Sequence, residues 1–189
     1  MRGIKAGEGQ VQWVLRIAAV IDRISWIFGA IASVLVLASC LISAGNASSR
    51  YLFHISSNAW LEIQWQMFAA IFLLGAPWVL KVNEHVRVDM LYSIYSPRGK
   101  LWVDVFGFIV FFFPAVILMI YLGYPWAMRS VAQLEMSNSP GGLAVWPVKL
   151  LLPLGFALLF LQGLAEFARR IAALTGAAQI DTHYEKPLQ

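Results

Sequence analysis

The sequence predicts an all-α integral membrane protein with four transmembrane helices and both termini on the cytoplasmic side. Three observations predict it. First, 60% of the 189 residues are hydrophobic and only 13% are charged, with a mean hydropathy of +0.69. Globular domains run nearer about 45–50% apolar and about 25% charged, so one soluble core of this size cannot hide this composition. Second, the charge-free stretches Ile24 to Ser49, Ile63 to Leu80, Val105 to Met128 and Leu150 to Ala165 approach the roughly 20 apolar residues that one bilayer crossing needs. Third, lysine and arginine are distributed unevenly along the chain.

Taken in order, residues 1–23 form an amphipathic cytoplasmic lead-in. Val11, Leu15, Ala18, Ala19 and Asp22 fall along one side, and Gln12, Arg16 and Arg23 along another. A four-helix transmembrane domain follows over 24–170. Its spans are expected near 24–46, 59–80, 104–127 and 144–168. They must be helical, because lipid offers no partner for an open backbone group. Helix 1 offers Gly29 and Ser33, and helix 4 offers Gly155 and Gly163, as small residues for close contact. Pro114, Pro125, Pro147 and Pro153 should bend or bound helices 3 and 4. Between helices 2 and 3, Val82, Val86, Met90 and Ile94 recur every four residues. That period predicts an interfacial helix near 82–97. Residues 171–189 form a short cytoplasmic tail.

Of the 14 basic residues, 11 lie before helix 1, between helices 2 and 3, or after helix 4. Arg50, Arg129 and Lys149 alone lie on the other side. The positive-inside rule therefore places both termini and the Lys81–Lys100 connection in the cytoplasm. The 47–58 and 128–143 connections then face outward. Trp60, Trp65, Trp126 and Trp146 fall near the outward ends, and Trp26, Trp78 and Trp102 near the inward ends, as aromatic belts at headgroup depth do.

Candidate chemistry is sparse. The net charge of +4 comes without a basic run or stripe beside aromatics, so nucleic acid is not an expected partner. The single cysteine, Cys40, allows no internal disulfide and no cysteine-rich metal site. Its context, Leu37-Ala38-Ser39-Cys40, resembles a lipoprotein cleavage box, but the charged leader is too long and further apolar segments follow. In Asn83-Glu84-His85-Val86-Arg87-Val88-Asp89, His85 and Glu84 point apart on a helix and Arg87 repels a cation. This is a poor metal site. Glu84 with Arg87 and His85 with Asp89 read instead as surface ion pairs of about 0.2–0.5 kcal/mol each. No span contains a histidine, since His54, His85 and His183 fall in connections or the tail. Haem held between spans is disfavoured accordingly. Glu62, near the outer start of helix 2, is the one costly carboxylate in this reading, and Gln66 shares its face. An acid near a span is a functional candidate by default; the alternative is packing, through a pair with Arg50 or Arg129. With no catalytic group and no expected cofactor or metal, the chain reads as a non-enzyme that helps another protein work.

Several short segments in a fixed order carry a family resemblance over roughly residues 20–170. Asn46 ends helix 1 and is followed by Arg50-Tyr51-Leu52-Phe53. Trp60 and Glu62 open helix 2, with Gly75-Ala76 inside it. His85-Val86-Arg87-Val88-Asp89 follows, and Pro153-Leu154-Gly155-Phe156-Ala157 lies in helix 4. In this order the chain resembles the small, Q-type membrane subunit of tripartite ATP-independent periplasmic (TRAP) transporters. It departs in carrying one acid after Trp60 where that family often has two.

The resemblance implies a multi-pass protein of the bacterial inner membrane. Its partners would be a larger, separate M-type membrane subunit and a periplasmic binding protein that delivers an organic acid. Sodium and substrate sites would lie in the large, elevator-type subunit, and this chain would be its scaffold. On that basis Arg50 and Glu62 are expected to fix the outer ends of helices 1 and 2 as an ion pair. Asn46 and Tyr51 belong to the same structural corner. His85, Arg87 and Asp89 would brace the interfacial helix. His54, Arg129 and Glu135, with Arg50, are expected to face the binding protein. The residue reading alone leaves two alternatives open, a membrane anchor for a redox complex and an autonomous small carrier coupled through Glu62.

Overall fold

The structure is a computed structural model and describes residues 2–55, 57–82 and 95–176. The elements are α1 (Arg2–Phe53), α2 (Asn58–Val82), α3 (Pro97–Gly107), a π-helical turn (Phe108–Phe112), α4 (Phe113–Ala132) and α5 (Trp146–Leu174). Four helical stretches are long and apolar enough to cross a membrane, with α3, the π turn and most of α4 forming the third. The expected spans 24–46, 59–80 and 104–127 lie within described helices, and 144–168 begins two residues before α5. The expected interfacial helix, with His85, Arg87 and Asp89, lies outside the described residues.

The lead-in and the first span are one uninterrupted helix of 52 residues. At 1.5 Å per residue it is about 78 Å long, against a hydrocarbon core of about 30 Å. Residues 2–53 contain no proline to break it. Along it Ala18, Ser25, Ala32 and Ser39 are buried, seven residues apart. A seven-residue repeat keeps one seam against its neighbours. Small side chains in that seam let backbones approach, which matters in lipid, where apolar burial does not drive helices together. Gly29 joins the seam, and a methyl group there would stand 2.8 Å from Trp78 Cβ. Ser33 faces outward and donates to its own helix at the carbonyl of Gly29, 3.0 Å away.

Ser57 starts α2: its hydroxyl accepts the N–H of Ala59 at 3.3 Å. Ser96 starts α3 by accepting the N–H of Gly99 at 3.2 Å, with proline following at the first helical turn. The π turn sits directly before Pro114. Proline has no N–H for the usual helical bond. The wider turn accommodates this, with the N–H of Phe113 reaching back to the carbonyl of Phe108.

α5 is central and packs against α1, α2, α3, the π turn and α4. Gly155 brings it against α2, where a Cβ would lie 2.9 Å from the backbone oxygen of Leu73. Gly163 meets Phe112 of the π turn instead. Eight residues turn a helix by about 80° beyond two turns, so the two glycines serve different neighbours. Phe108, Phe112, Phe113, Phe160 and Phe167 pack between α5 and the third span, mostly edge to face. Outside this core the helices expose large apolar side chains, among them Val34, Leu37, Leu41, Phe72, Phe111 and Tyr121. Cys40 is also exposed.

Candidate functional site

Polar chemistry concentrates at the two ends of the bundle. At the end where α2 and α5 finish, eight side chains from four helices form one network. Its centre is Gln162, fully buried on α5. Gln162 accepts the hydroxyl of Ser25 at 2.7 Å and donates to Asp22 at 3.0 Å and to Glu166 at 3.4 Å. Asp22 is bridged by Lys81 at 2.7 Å and Arg169 at 2.5 Å. Glu166 pairs with Arg169 and, at 2.8 Å, with Arg170. Arg170 also donates to Asp104 at 2.8 Å and lies over the ring of Phe108, 5.1 Å from its centroid. Three acids face three bases. Charges this deep are tolerable only when paired and hydrogen-bonded.

From sequence, Asp22 belongs to the amphipathic lead-in, and Arg169 and Arg170 count among the basic residues after helix 4 that set orientation. The sequence reading recognises one carboxylate near a span and no polar cluster within the spans. The structure corrects this, because Asp22, Asp104 and Glu166 are also carboxylates of the helices. A signal was present: Gln162, Glu166, Arg169 and Arg170 share one helical face at spacings of three and four.

At the other end, Asn58, Glu62 and Gln66 rise along one face of α2 at intervals of four. They meet a tight hairpin between α4 and α5. The hairpin pairs Met136 with Ala144, donates from Ser137 N–H to Leu143 O and from Val145 N–H to Glu135 O at 2.9 Å each, and turns at Gly141 with φ +71°. Asn58 donates to Pro140 O at 3.2 Å, and Gln66 to Ala144 O at 3.0 Å. Between them Glu62, only 6% exposed, accepts the hydroxyl of Ser137 and the N–H of Leu143 at 2.6 Å. A Cβ on Gly142 would come within 2.9 Å of that carboxylate, so glycine is required for the close approach.

The expected Arg50–Glu62 ion pair is therefore corrected. Glu62 points at hairpin donors, and Arg50 lies on the exposed side of α1. Arg129 donates to its own helix at Pro125 O, 3.2 Å away. Glu135 pairs with Lys149 at 2.5 Å, and Lys149 also sits over Trp126, 4.6 Å from the ring centroid. The Lys149 ammonium holds the Glu135 carboxyl below its usual range. Asn46, Arg50, Tyr51 and His54 come together with Gln64 along a cleft between the outer turns of α1 and α2. His54 adopts φ +56°.

Each acid whose side chain is described in the spanning helices is thus engaged within the bundle, Asp22, Glu62 and Asp104 by other elements and Glu166 by Arg169 and Arg170 of its own helix. Among the described residues no three His, Cys, Asp or Glu side chains are grouped as metal ligands would be. Fold and polar sites together define a multi-pass helical membrane protein whose charges tie its own helices together.

Residues 39–173 match the family model described as tripartite ATP-independent periplasmic transporters, DctQ component. The chain belongs to this family, a family of transporter components rather than of enzymes. No curated protein and no solved structure matches it.

Proposed function

We propose that this chain is the fixed scaffold of a sodium-coupled TRAP transporter in a bacterial inner membrane. It anchors a larger M-type subunit that carries the substrate and sodium sites and takes up an organic acid from a periplasmic binding protein. The observation that carries this reading is that all four described acids of the spanning helices are consumed in contacts within the bundle. None is left as a coupling site, while the surface of the spans is apolar and offers itself to lipid and to a partner's helices. Glu62, the residue on which an autonomous carrier would depend, works as an acceptor for the hairpin.

The excess of lysine and arginine on one side supports placing the Gln162 network at the cytoplasmic end. The hairpin, with Arg129 and Glu135, and the cleft with Arg50 and His54 would then face the periplasm. His85, Arg87 and Asp89 would brace the cytoplasmic-side connection, and sodium would need no ligand from this chain.

The test is purification of the tagged chain from its native membrane in gentle detergent, with mass spectrometry of what accompanies it. One much larger polytopic protein is the expected result; haem or flavoprotein subunits, or a lone oligomer that transports by itself, would overturn the reading. In a Cys40→Ala background, His54→Cys should react in intact cells with a maleimide that cannot cross the membrane. Protection of that thiol until the cells are lysed would reverse the orientation.

A further inference from the structure

The cleft between the outer turns of α1 and α2 has a volume of about 800 Å3, within the roughly 300–1,000 Å3 of ligand-sized sites. Asn46, Arg50, Tyr51, His54, Leu61 and Gln64 line it, and among the described residues no acid does. Its chemistry is weighted toward donors, namely the Arg50 guanidinium, two side-chain amides and a phenol. The side-chain nitrogen of Gln64 is buried without a hydrogen-bond partner. A buried donor left unpaired is costly and asks for an explanation. Arg50 has no acid beside it in the cleft, and none of the ion pairs between described residues uses it.

We propose that this cleft binds the phosphodiester headgroup of an anionic phospholipid, with Arg50 and Gln64 as its donors. A planar guanidinium suits phosphate oxygens, to which it can donate twice. The setting argues for lipid as the source of the phosphate. The cleft opens where two spanning helices end, among exposed Leu52, Phe53, Trp60, Leu61 and Trp65. Apolar and aromatic side chains at helix ends mark headgroup depth. Below Arg50 the same side of α1 continues through exposed Cys40 and Val36, an apolar track for acyl chains. His54, held in a left-handed conformation that non-glycine residues adopt infrequently, brings its ring to the cleft's edge. The site goes beyond the scaffold reading and does not depend on it.

The test is native mass spectrometry of the purified chain with dioleoylphosphatidylglycerol, with dioleoylglycerol, which has the same chains and no phosphate, and with inorganic phosphate. The phosphoglycerol lipid should be retained and dioleoylglycerol lost. Arg50→Ala should weaken retention by about tenfold or more, the scale of a lost charge-assisted bond. Gln64→Leu should weaken it less, Arg50→Lys should keep part of it, and Arg23→Ala, at the opposite end, should keep all of it. Equal retention by Arg50→Ala, or equal binding of dioleoylglycerol, would overturn the proposal. So would displacement of the lipid by equimolar inorganic phosphate, which would make this a free-anion site. Arg50→Ala that keeps its lipid and loses a soluble protein partner would make the cleft a protein dock and overturn it as well. If Arg50→Ala does not fold, the Arg50→Lys and headgroup comparisons decide.

Discussion

The carboxylate of Glu62 accepts the backbone N–H of Leu143 at 2.6 Å, across 81 residues of chain. With the Ser137 hydroxyl on its other oxygen, it fastens the α4–α5 hairpin onto the first turns of α2. From sequence Glu62 reads as a packing residue with Arg50 or Arg129 as its partner; the packing role holds, and the partner is the hairpin.

Glu62→Ala removes the acceptor of two part-buried donors, the Ser137 hydroxyl and the Leu143 N–H, and should loosen the hairpin. Limited proteolysis should then cut between Ser137 and Gly142, where the native chain resists. Glu62→Gln keeps one oxygen and should release the hairpin less. In the reconstituted transporter it should lower assembly while the sodium dependence of uptake stays unchanged; an altered sodium requirement would contradict the clamp.

Arg170 is the most consequential cation of the network, because it neutralises Asp104 and Glu166 together. Arg170→Ala takes one charge-assisted contact from Asp104 and one from Glu166, which keeps Arg169, and should cost about 1.5–3 kcal/mol. Thermal unfolding in detergent, followed by size-exclusion elution, reads this directly. Lys81→Met should cost much less, since Arg169 still holds Asp22 and Lys81 is more exposed.

Gly155→Val places side-chain atoms against the backbone of Leu73, which cannot move aside as a side-chain tip can. Overpacking of this kind costs about 1–3 kcal/mol. The expected sign is looser α2–α5 contact, measured as slower disulfide trapping between cysteines introduced on the two helices, with α4–α5 trapping unaffected.

The Glu135–Lys149 pair gives a pH dependence outside the spans. The Glu135 carboxyl is lowered by Lys149, so the native state binds its proton less readily than the unfolded state. The pair's contribution is present above the ordinary carboxylate range and is lost as the pH falls through the lowered value. Wild-type and Glu135→Gln proteins should differ in hairpin protease resistance at neutral pH and converge on strong acidification. A difference that grows on acidification would show the sign to be wrong.

Much of the fold was legible because apolar length is a local property. Ile24 to Ser49 and Val105 to Met128 announce helices without any knowledge of their neighbours. Gly29 and Gly155 were legible as contact points, since lack of bulk is local too. The seam Ala18, Ser25, Ala32 and Ser39 was visible in principle as a seven-residue repeat, but it lay hidden among larger apolar residues facing outward. The identity of Glu62 as a functional candidate was legible, but its partner was not.

The sequence by itself determined that this protein lives in a membrane, how many times it crosses, and which segments share a side. Length and hydropathy suffice for that, because the bilayer is a uniform solvent that acts on each segment separately. Only the tertiary structure decided what the charges do. Asp22, Lys81, Asp104, Gln162, Glu166, Arg169 and Arg170 meet only when four helices are packed, and Glu62 finds its donors only once the hairpin folds back. A buried charge takes its role from the partner within about 3 Å, and that partner is set by packing rather than by position along the chain.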